Sequence, residues 1–143
     1  MLPYYCNEAM LLLPNVRSLV DCTRHSLEIV TEEGAKLDLA IARLPQDPNE
    51  TLRDVVEQGI AEQERRLAGF QLISKAEGEY GGLFGIEVRM RFVDKARGPI
   101  YHHVFHTMME TSRVGFFGIS TIEHAAACQA WMVNMLSNIK PRA

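Results

Sequence analysis

After residue 70 the chain continues as four strand-like segments, and the links between them limit how those strands can pair. The segments cover residues 70–80, 83–93, 100–109 and 113–120. The links Gly81-Gly82 and Ala96-Arg97-Gly98-Pro99 have the composition of turns. Parallel neighbours need a crossover of about a dozen residues or more, so links this short predict antiparallel hairpins and a meander.

The N-terminal half adds more strands. Residues 4–10 and 11–13 predict either a short strand pair or one bent strand that ends at Pro14, and residues 19–30 contain two strand-like pieces. In the next strand, residues 37–44, the period of two places Leu37, Leu39 and Ile41 on one face. The opposite face carries small or polar residues, which indicates that something packs closely there: Asp38, Ala40 and Ala42.

Two helices complete the pattern. Residues 52–67 have an apolar stripe at helical spacing, with Thr51 as the N-cap and Asp54 three residues later in a variant of the capping box. A final helix over 122–139 follows a second capping box, formed by Ser120 and Glu123. The order of elements predicts an α+β fold with a six- or seven-stranded antiparallel sheet and two helices, in one domain over residues 1–143.

Composition narrows the class of protein. Of the 143 residues, 47% are hydrophobic, and the formal net charge is −3, which argues against disorder and against a generally basic nucleic-acid-binding chain. The N-terminus lacks the pattern of a signal peptide, and no apolar run approaches the ~20 residues of a membrane span. The three separated cysteines, Cys6, Cys22 and Cys128, fit reduced thiols. We therefore expect a cytoplasmic protein that does not insert into membranes.

Candidate catalytic and metal-binding groups are few. In a strand His102 and His106 share one face while His103 lies on the other, and the first two stand about 13 Å apart, too far to share one metal ion. Two of these histidines are expected at edges or in solvent, and one in an apolar setting. No nucleophile–histidine–acid arrangement and no glycine-rich phosphate loop is present. The sequence predicts no cofactor and no enzymatic activity.

Apolar residues outnumber the positions that one core needs. Segments such as 104–109 and 114–119 are apolar on both faces. If both helices cover one face of the sheet, the other face is unusually apolar for contact with water. Large apolar patches mark interaction sites. The residues leave two alternatives open, a binding surface for another molecule or a homodimer interface alone.

The chain also resembles a known family. The resemblance runs through residues 25–29 (HSLEI), 39–43 (LAIAR), 66–72 (RLAGFQL) and 101–105 (YHHVF), and it ends at the helix that contains Trp131. These segments resemble the DcrB-like proteins of Mog1/PsbP-like fold and, more narrowly, the Eag-family chaperones of type VI secretion effectors. That family implies a cytosolic homodimer whose hydrophobic groove binds the N-terminal transmembrane helices of an effector and aids its loading onto the secretion spike. The alternative is a non-catalytic module of the same fold with a different protein partner.

The resemblance also implies a set of residues that bind the client helices. Leu27, Ile29 and Ala40 match groove positions on the sheet, and Gln63 and Leu67 match groove positions on the first helix. Where the family often has glutamine, this chain has Gly59 and His103, so its polar contacts differ. The full set assigned to client binding is Leu27, Ile29, Ala40, Gly59, Gln63, Leu67, Tyr101 and His103.

Overall fold

The computed structural model describes residues 2–5, 10–17, 23–110 and 112–140, and the elements below lie within these ranges. The strands are β1 (Leu2–Tyr5), β2 (Met10–Leu13), β3 (Arg24–Val30), β4 (Lys36–Leu44), β5 (Gln71–Tyr80), β6 (Leu83–Asp94), β7 (Gly98–Met109) and β8 (Ser112–Thr121). The helices are α1 (Leu52–Arg66), a 3₁₀ turn (Ile122–His124) and α2 (Ala125–Ser137). Cys6, Cys22 and the start of the predicted 19–30 segment lie outside the described residues.

Six strands form one antiparallel sheet in the order β3-β4-β8-β7-β6-β5. The predicted meander is therefore confirmed, with the segment after β4 crossing to the far edge of the sheet before the chain returns strand by strand. β1 and β2 pair with each other in a separate two-stranded sheet, which favours the strand-pair alternative for the N-terminal segment. The α+β fold with an antiparallel sheet and two helices is confirmed.

The two helices lie on opposite faces of the six-stranded sheet. On one face α2 packs its buried residues Cys128, Met132 and Leu136 against Phe105 and Phe116. On the other face α1 packs Val56 against Ile86, Val88 and Met90 of β6. Cross-strand partners share a face, so the register assigns every residue of the sheet to the α1 side or the α2 side.

The expectation that both helices cover the same face was wrong. α1 connects β4, which lies next to one edge, to β5 at the opposite edge, so it must cross over one face of the sheet. α2 follows the last strand and folds back over the other face, against β8 and β7. Each face therefore receives one helix, and neither face is left entirely without cover.

The helix ends show which of the two predicted capping boxes forms in the structure. At α1 the capping box is confirmed, since Thr51 Oγ1 accepts a hydrogen bond from the Asp54 amide at 3.1 Å and the Asp54 carboxylate accepts one from the Thr51 amide. The box predicted at Ser120 is wrong, because Ser120 is buried inside β8 and donates to the Thr121 carbonyl at 2.9 Å. No helix within the described ranges has the length and apolarity that crossing a bilayer requires.

The turn between β5 and β6 contacts the residues just after α2, and this contact can be tested by substitution. Gly81 and Gly82 both have positive φ, +59° and +83°. A Cβ atom on Gly81 would lie 2.4 Å from the carbonyl oxygen of Ile139, just beyond α2, whereas one on Gly82 meets nothing within 4 Å.

We expect Gly82→Ala to reduce the free energy of unfolding by about 1 kcal/mol, the cost of a side chain at positive φ. Gly81→Ala should cost about 1–3 kcal/mol more, because the chain after α2 must also move. Urea unfolding followed by circular dichroism measures both variants. Equal losses would contradict the described contact between this turn and Ile139.

Candidate functional site

The α1 face of the sheet carries, beside the helix, an area that combines apolar side chains with two histidines and an arginine, and we call it the α1-side surface. Its residues come from three neighbouring strands, and register places them on one face. Ala40 and Ala42 are buried, and the larger members are half-buried. The members are Ala40 and Ala42 of β4, His102 and His106 of β7, and Arg113, Phe117 and Ile119 of β8.

Helix α1 borders this surface with a flank on which Gly59 carries no side chain. Arg53 and Glu57 turn toward β5, where they form ion pairs with Glu77 and Lys75. With 3.6 residues per turn, Gly59 lies across the buried stripe from that pair, on the flank that faces β8 and β4. Gly59 is exposed, and a Cβ atom there would have nothing within 4 Å. The α1-side surface is therefore open along this part of the helix.

Buried polar atoms without partners concentrate on this surface. Within the described part of the chain, four buried side-chain nitrogen or oxygen atoms lack a hydrogen-bond partner. Three of them belong to the α1-side surface: His102 Nδ1, His106 Nδ1 and Arg113 Nε. Buried polar groups in folded proteins are normally satisfied, so each exception calls for an explanation such as a ligand or an ordered water.

The two histidines sit among aromatic rings. His102 makes an edge-to-face contact with Phe92, with ring centroids 5.2 Å apart, and His106 makes one with Phe117 at 5.7 Å. Burial lowers the pKa of His102 to about 4. Burial, with a smaller effect from the Arg113 guanidinium, lowers the pKa of His106 to about 4. At neutral pH both rings are uncharged, and each still offers hydrogen-bonding capacity.

On the α2 face, by contrast, the buried polar groups of His103 and its neighbours have hydrogen-bond partners within the chain. His103 is 1% exposed, and its two ring nitrogens lie 2.6 Å from Glu87 Oε2 and 3.1 Å from the Tyr101 hydroxyl. Tyr80 donates a hydrogen bond to the same carboxylate at 3.0 Å. The hydrogen bond with His103 lowers the pKa of Glu87, and that of Tyr80 acts in the same direction. This network is satisfied from within the chain.

The connectivity of Tyr101, His103 and Glu87 resembles a nucleophile, base and acid, but its setting does not suit catalysis. Tyr101 is 2% exposed, and burial raises the pKa of its hydroxyl to about 12. A substrate has no access to that oxygen, and phenolate formation is disfavoured at neutral pH. The described residues also contain no group of three histidine, cysteine or carboxylate side chains that could hold a metal ion.

The sheet divides the eight residues assigned to client binding. Ala40 belongs to the α1-side surface, and Gly59, Gln63 and Leu67 lie on α1 next to it, the last two half-buried. The other four lie on the α2 side: Leu27, Ile29, Tyr101 and His103. Leu27 is 49% exposed, whereas Tyr101 and His103 are buried. The structure therefore brings together half of the set, and a client helix cannot contact all eight on one surface.

The expectation that two of the three clustered histidines are exposed or at an edge was wrong. β7 lies between β6 and β8, so every side chain on it faces a neighbour on both sides. The signal that would have identified His102 and His106 was present in the sequence. They alternate with Ile100 and Val104 in a strand without charged residues, which is typical of a strand in the middle of a sheet.

Acid should destabilise the protein through His102 and His106. Below the unfolded-state pKa of about 6.5 the unfolded chain binds a proton at each ring, while the folded chain does so only near pH 4. Stability contributed by the neutral rings is therefore complete above pH 6.5 and falls as the pH drops toward 4, by about 2 kcal/mol per ring at pH 5.

The free energy of unfolding of the unaltered protein should fall between pH 7 and pH 5. We expect this fall to be smaller by about 2–4 kcal/mol in the double variant His102→Leu/His106→Leu. Urea unfolding at the two pH values provides the comparison. His25→Leu is the matched control for replacement of a histidine, because His25 is exposed on the edge strand β3. An identical loss in the double variant would show that these two rings are not held neutral.

The α2-side network should behave as one unit. His103→Leu leaves the Glu87 carboxylate and the Tyr101 hydroxyl without their shared partner, and we expect a loss of about 2–4 kcal/mol. Glu87→Leu removes the other half of the pair. The double variant His103→Leu/Glu87→Leu should cost at least about 1 kcal/mol less than the sum of the single losses. Strict additivity in thermal or urea unfolding would contradict the contact.

Comparison with known proteins places the chain in a family. The DcrB family model matches residues 8–129. The crystal structure of PA94, a Pseudomonas aeruginosa protein of unknown function, superposes with a TM-score of 0.81 at 15% identity and covers 100% of this chain and 98% of PA94. Cyanobacterial PsbP from Synechocystis reaches a TM-score of 0.49 at 11% identity, over 95% of this chain and 88% of PsbP.

Among curated proteins none matches the chain. The likeness to PA94 shows a common fold, since identity this low carries no information about binding partners. The DcrB match extends from before β2 into α2 and so includes the six-stranded sheet and the α1-side surface. On this match, the chain belongs to the DcrB family.

Proposed function

We propose that this protein is a cytoplasmic, non-catalytic chaperone of the Eag type. It binds the N-terminal transmembrane helices of a type VI secretion effector, shields them from water and aids loading of the effector onto the secretion spike. It works as a homodimer, in one domain, without a cofactor, nucleic acid or insertion into a membrane. Membership of the DcrB family and the resemblance of the segments around Leu27, Ala40, Leu67 and Tyr101 to that group support the proposal.

The observation that carries the proposal is the combination of apolar side chains and unpartnered polar atoms on the α1-side surface. A transmembrane helix in water exposes roughly 20 apolar residues, and a binding surface must bury them. Such helices also associate through hydrogen bonds from occasional hydroxyl or amide side chains, worth about 0.6–2 kcal/mol each. His102, His106 and Arg113 are half-buried, and rotation of these side chains on client binding would bring the unpartnered His102 Nδ1, His106 Nδ1 and Arg113 Nε to those groups.

The shape of the α1-side surface also supports a transmembrane helix as the bound molecule. Small side chains at Ala40 and Ala42 add little bulk to the sheet surface, and Gly59 adds no side chain to the bordering helix flank. Small residues let helix backbones approach closely. Gln63, one turn along α1 from Gly59, is half-buried and adds an amide near the same edge. A helix that lies between α1 and β4 contacts all of these residues at once.

Four of the eight residues assigned to client binding lie on the α2 side, and we propose other roles for them. Tyr101 and His103 are buried, so they act by holding β6 and β7 together rather than by touching a client. Leu27 and Ile29 lie on the edge strand β3 on the opposite face from Ala40, and their contact with a client stays a separate prediction. The following experiment distinguishes the two faces.

Gly59→Arg tests the proposal without disturbing the core. Gly59 is exposed and its surroundings are empty, and arginine favours helix more than glycine does, so folding should be maintained or improved. The probe is the N-terminal segment of a candidate effector, chosen as a product of a neighbouring gene that begins with predicted membrane helices, and it is fused to a soluble carrier. We expect the large charged side chain to lower co-purification of the co-expressed probe at least tenfold.

Ala61→Arg is the matched control, because Ala61 is also exposed on α1 but projects away from the α1-side surface. It should recover as much probe as the unaltered protein. Loss of probe with Leu27→Glu but not with Gly59→Arg would place the client on the α2 side. Recovery of the soluble carrier alone, or failure of the unaltered protein to keep the probe soluble, would reject the chaperone function.

A further inference from the structure

Three polar side chains come together at one end of the α1-side surface. β4 ends at Leu44, and the loop that follows it leads into α1. Arg113 is the cross-strand partner of Leu44, and Gln46 lies two residues beyond Leu44 in that loop. His106, on the neighbouring strand β7, lies two residues before the cross-strand partner of Arg113. We call Gln46, His106 and Arg113 the polar end of the surface.

Each side chain of the polar end has a buried polar atom without a hydrogen-bond partner among the described residues. The atoms are Gln46 Oε1, His106 Nδ1 and Arg113 Nε. The Gln46 amide is oriented by its nitrogen, which donates to the Glu50 carbonyl at 2.7 Å, so its oxygen is an acceptor. Arginine Nε is a donor, and a neutral imidazole nitrogen is a donor or an acceptor according to its tautomer. A molecule that satisfies this end must therefore offer both an acceptor and a donor.

Arg113 also carries a charge that no described residue neutralises in an ion pair. Its side chain is half-buried. Burial lowers the pKa of the guanidinium, and the Glu50 carboxylate acts in the opposite direction without reaching ion-pair distance. Arginine stays protonated at neutral pH in any case. The acceptor at the polar end should therefore carry negative charge, whole or partial.

The opposite end of the surface, at Asp38, differs in this respect, and we call it the far end. A rise of about 3.3 Å per strand residue places Asp38 about 20 Å from Leu44 along β4. Asp38 already forms an ion pair with Arg97 at 3.5 Å. The nearby Glu28 and Lys36 are exposed and of opposite sign, so water and salt screen their charges. The two ends therefore present different chemistry to a bound molecule.

The carboxyl end of a helix offers the groups that the polar end lacks. Its last four carbonyl groups have no partner inside the helix, and together they carry a partial charge of roughly −0.5. The residues just beyond it have N–H groups that the helix does not bond. After a small rotation of the two side chains, Arg113 Nε can donate to these carbonyls and Gln46 Oε1 can accept from these N–H groups. The amino end of a helix has unbonded N–H groups and a partial positive charge, which the guanidinium repels.

The path of α1 favours the same direction. α1 begins beside the polar end, and just after it the Ala68 carbonyl accepts a hydrogen bond at 2.8 Å from Val93, near the far end. A bound helix whose carboxyl end lies at the polar end runs antiparallel to α1, so the two helix dipoles attract. We propose, on the basis of the proposed function, that the α1-side surface binds a client transmembrane helix in one direction. The carboxyl end of that helix lies at Gln46 and Arg113, and its amino end lies toward Asp38.

Crosslinking within the complex measures this direction. The probe is one membrane helix of the candidate effector, fused to a soluble carrier, with a single cysteine in its first or its last turn. The protein carries Asn49→Cys, exposed in the loop at the polar end, or Lys36→Cys, exposed at the far end, with Cys6 and Cys22 replaced by serine and buried Cys128 kept. With a short bis-maleimide, we expect the last-turn cysteine to link to Asn49→Cys about fivefold more than to Lys36→Cys, and the first-turn cysteine to show the reverse.

Arg113→Met tests the cause of the preference, because methionine is unbranched but has neither the charge nor the donors. The complex should still form, and each probe should link to the two ends about equally. Arg24→Met is the matched control, since Arg24 is exposed on the same face, as the cross-strand partner of Ala42, and should keep the preference.

Three results would overturn the proposal while the complex, and with it the proposed function, stands. They are equal linkage to both ends in the unaltered background, a reversed preference, and a preference that persists in Arg113→Met. Failure of the unaltered protein to co-purify with the probe would reject the proposed function and the binding direction together.

Discussion

β7 lies in the middle of the sheet, and its side chains alternate between the two faces. The rest of the structure depends on this constraint. Between β6 and β8, this strand has neighbours along both edges and a helix packed on each face. Tyr101, His103 and Phe105 face α2, while His102 and His106 face the α1 side. A shift of pairing by one residue would exchange these two sets, so burial on both faces specifies the register strongly.

The two faces of β7 differ in whether their buried polar groups have hydrogen-bond partners. On the α2 side His103 lies between Glu87 and Tyr101, and each polar atom of that contact has a partner. On the α1 side His102 and His106 are neutral rings with unpartnered Nδ1 atoms. A buried donor or acceptor without a partner costs about 1–3 kcal/mol, so retaining two of them on one apolar surface is reasonable where a bound molecule supplies the missing groups.

Local sequence signals predicted the fold where nothing distant competed with them. The capping box at Thr51 and Asp54 formed, because that turn is exposed and its bonds join neighbouring residues. The same pattern at Ser120 and Glu123 failed, because Ser120 lies in β8 under the α2 core and its hydroxyl is used there. Half of the residues assigned to client binding on the family resemblance lie at the candidate site, among them Gly59 and Gln63. His102, His106 and Arg113 were not among the assigned residues, because no local pattern shows that their polar atoms are buried without partners.

By itself the sequence determined the order of the elements, the antiparallel pairing after residue 70 and the residues that share a face within each strand. These follow from periods of two and 3.6 and from links too short for a crossover. Only the tertiary structure decided which helix covers which face, and hence that Leu27 and Ala40 lie on opposite sides of the sheet. Periodicity shows that residues share a face, but the path of the chain between distant strands decides what covers it.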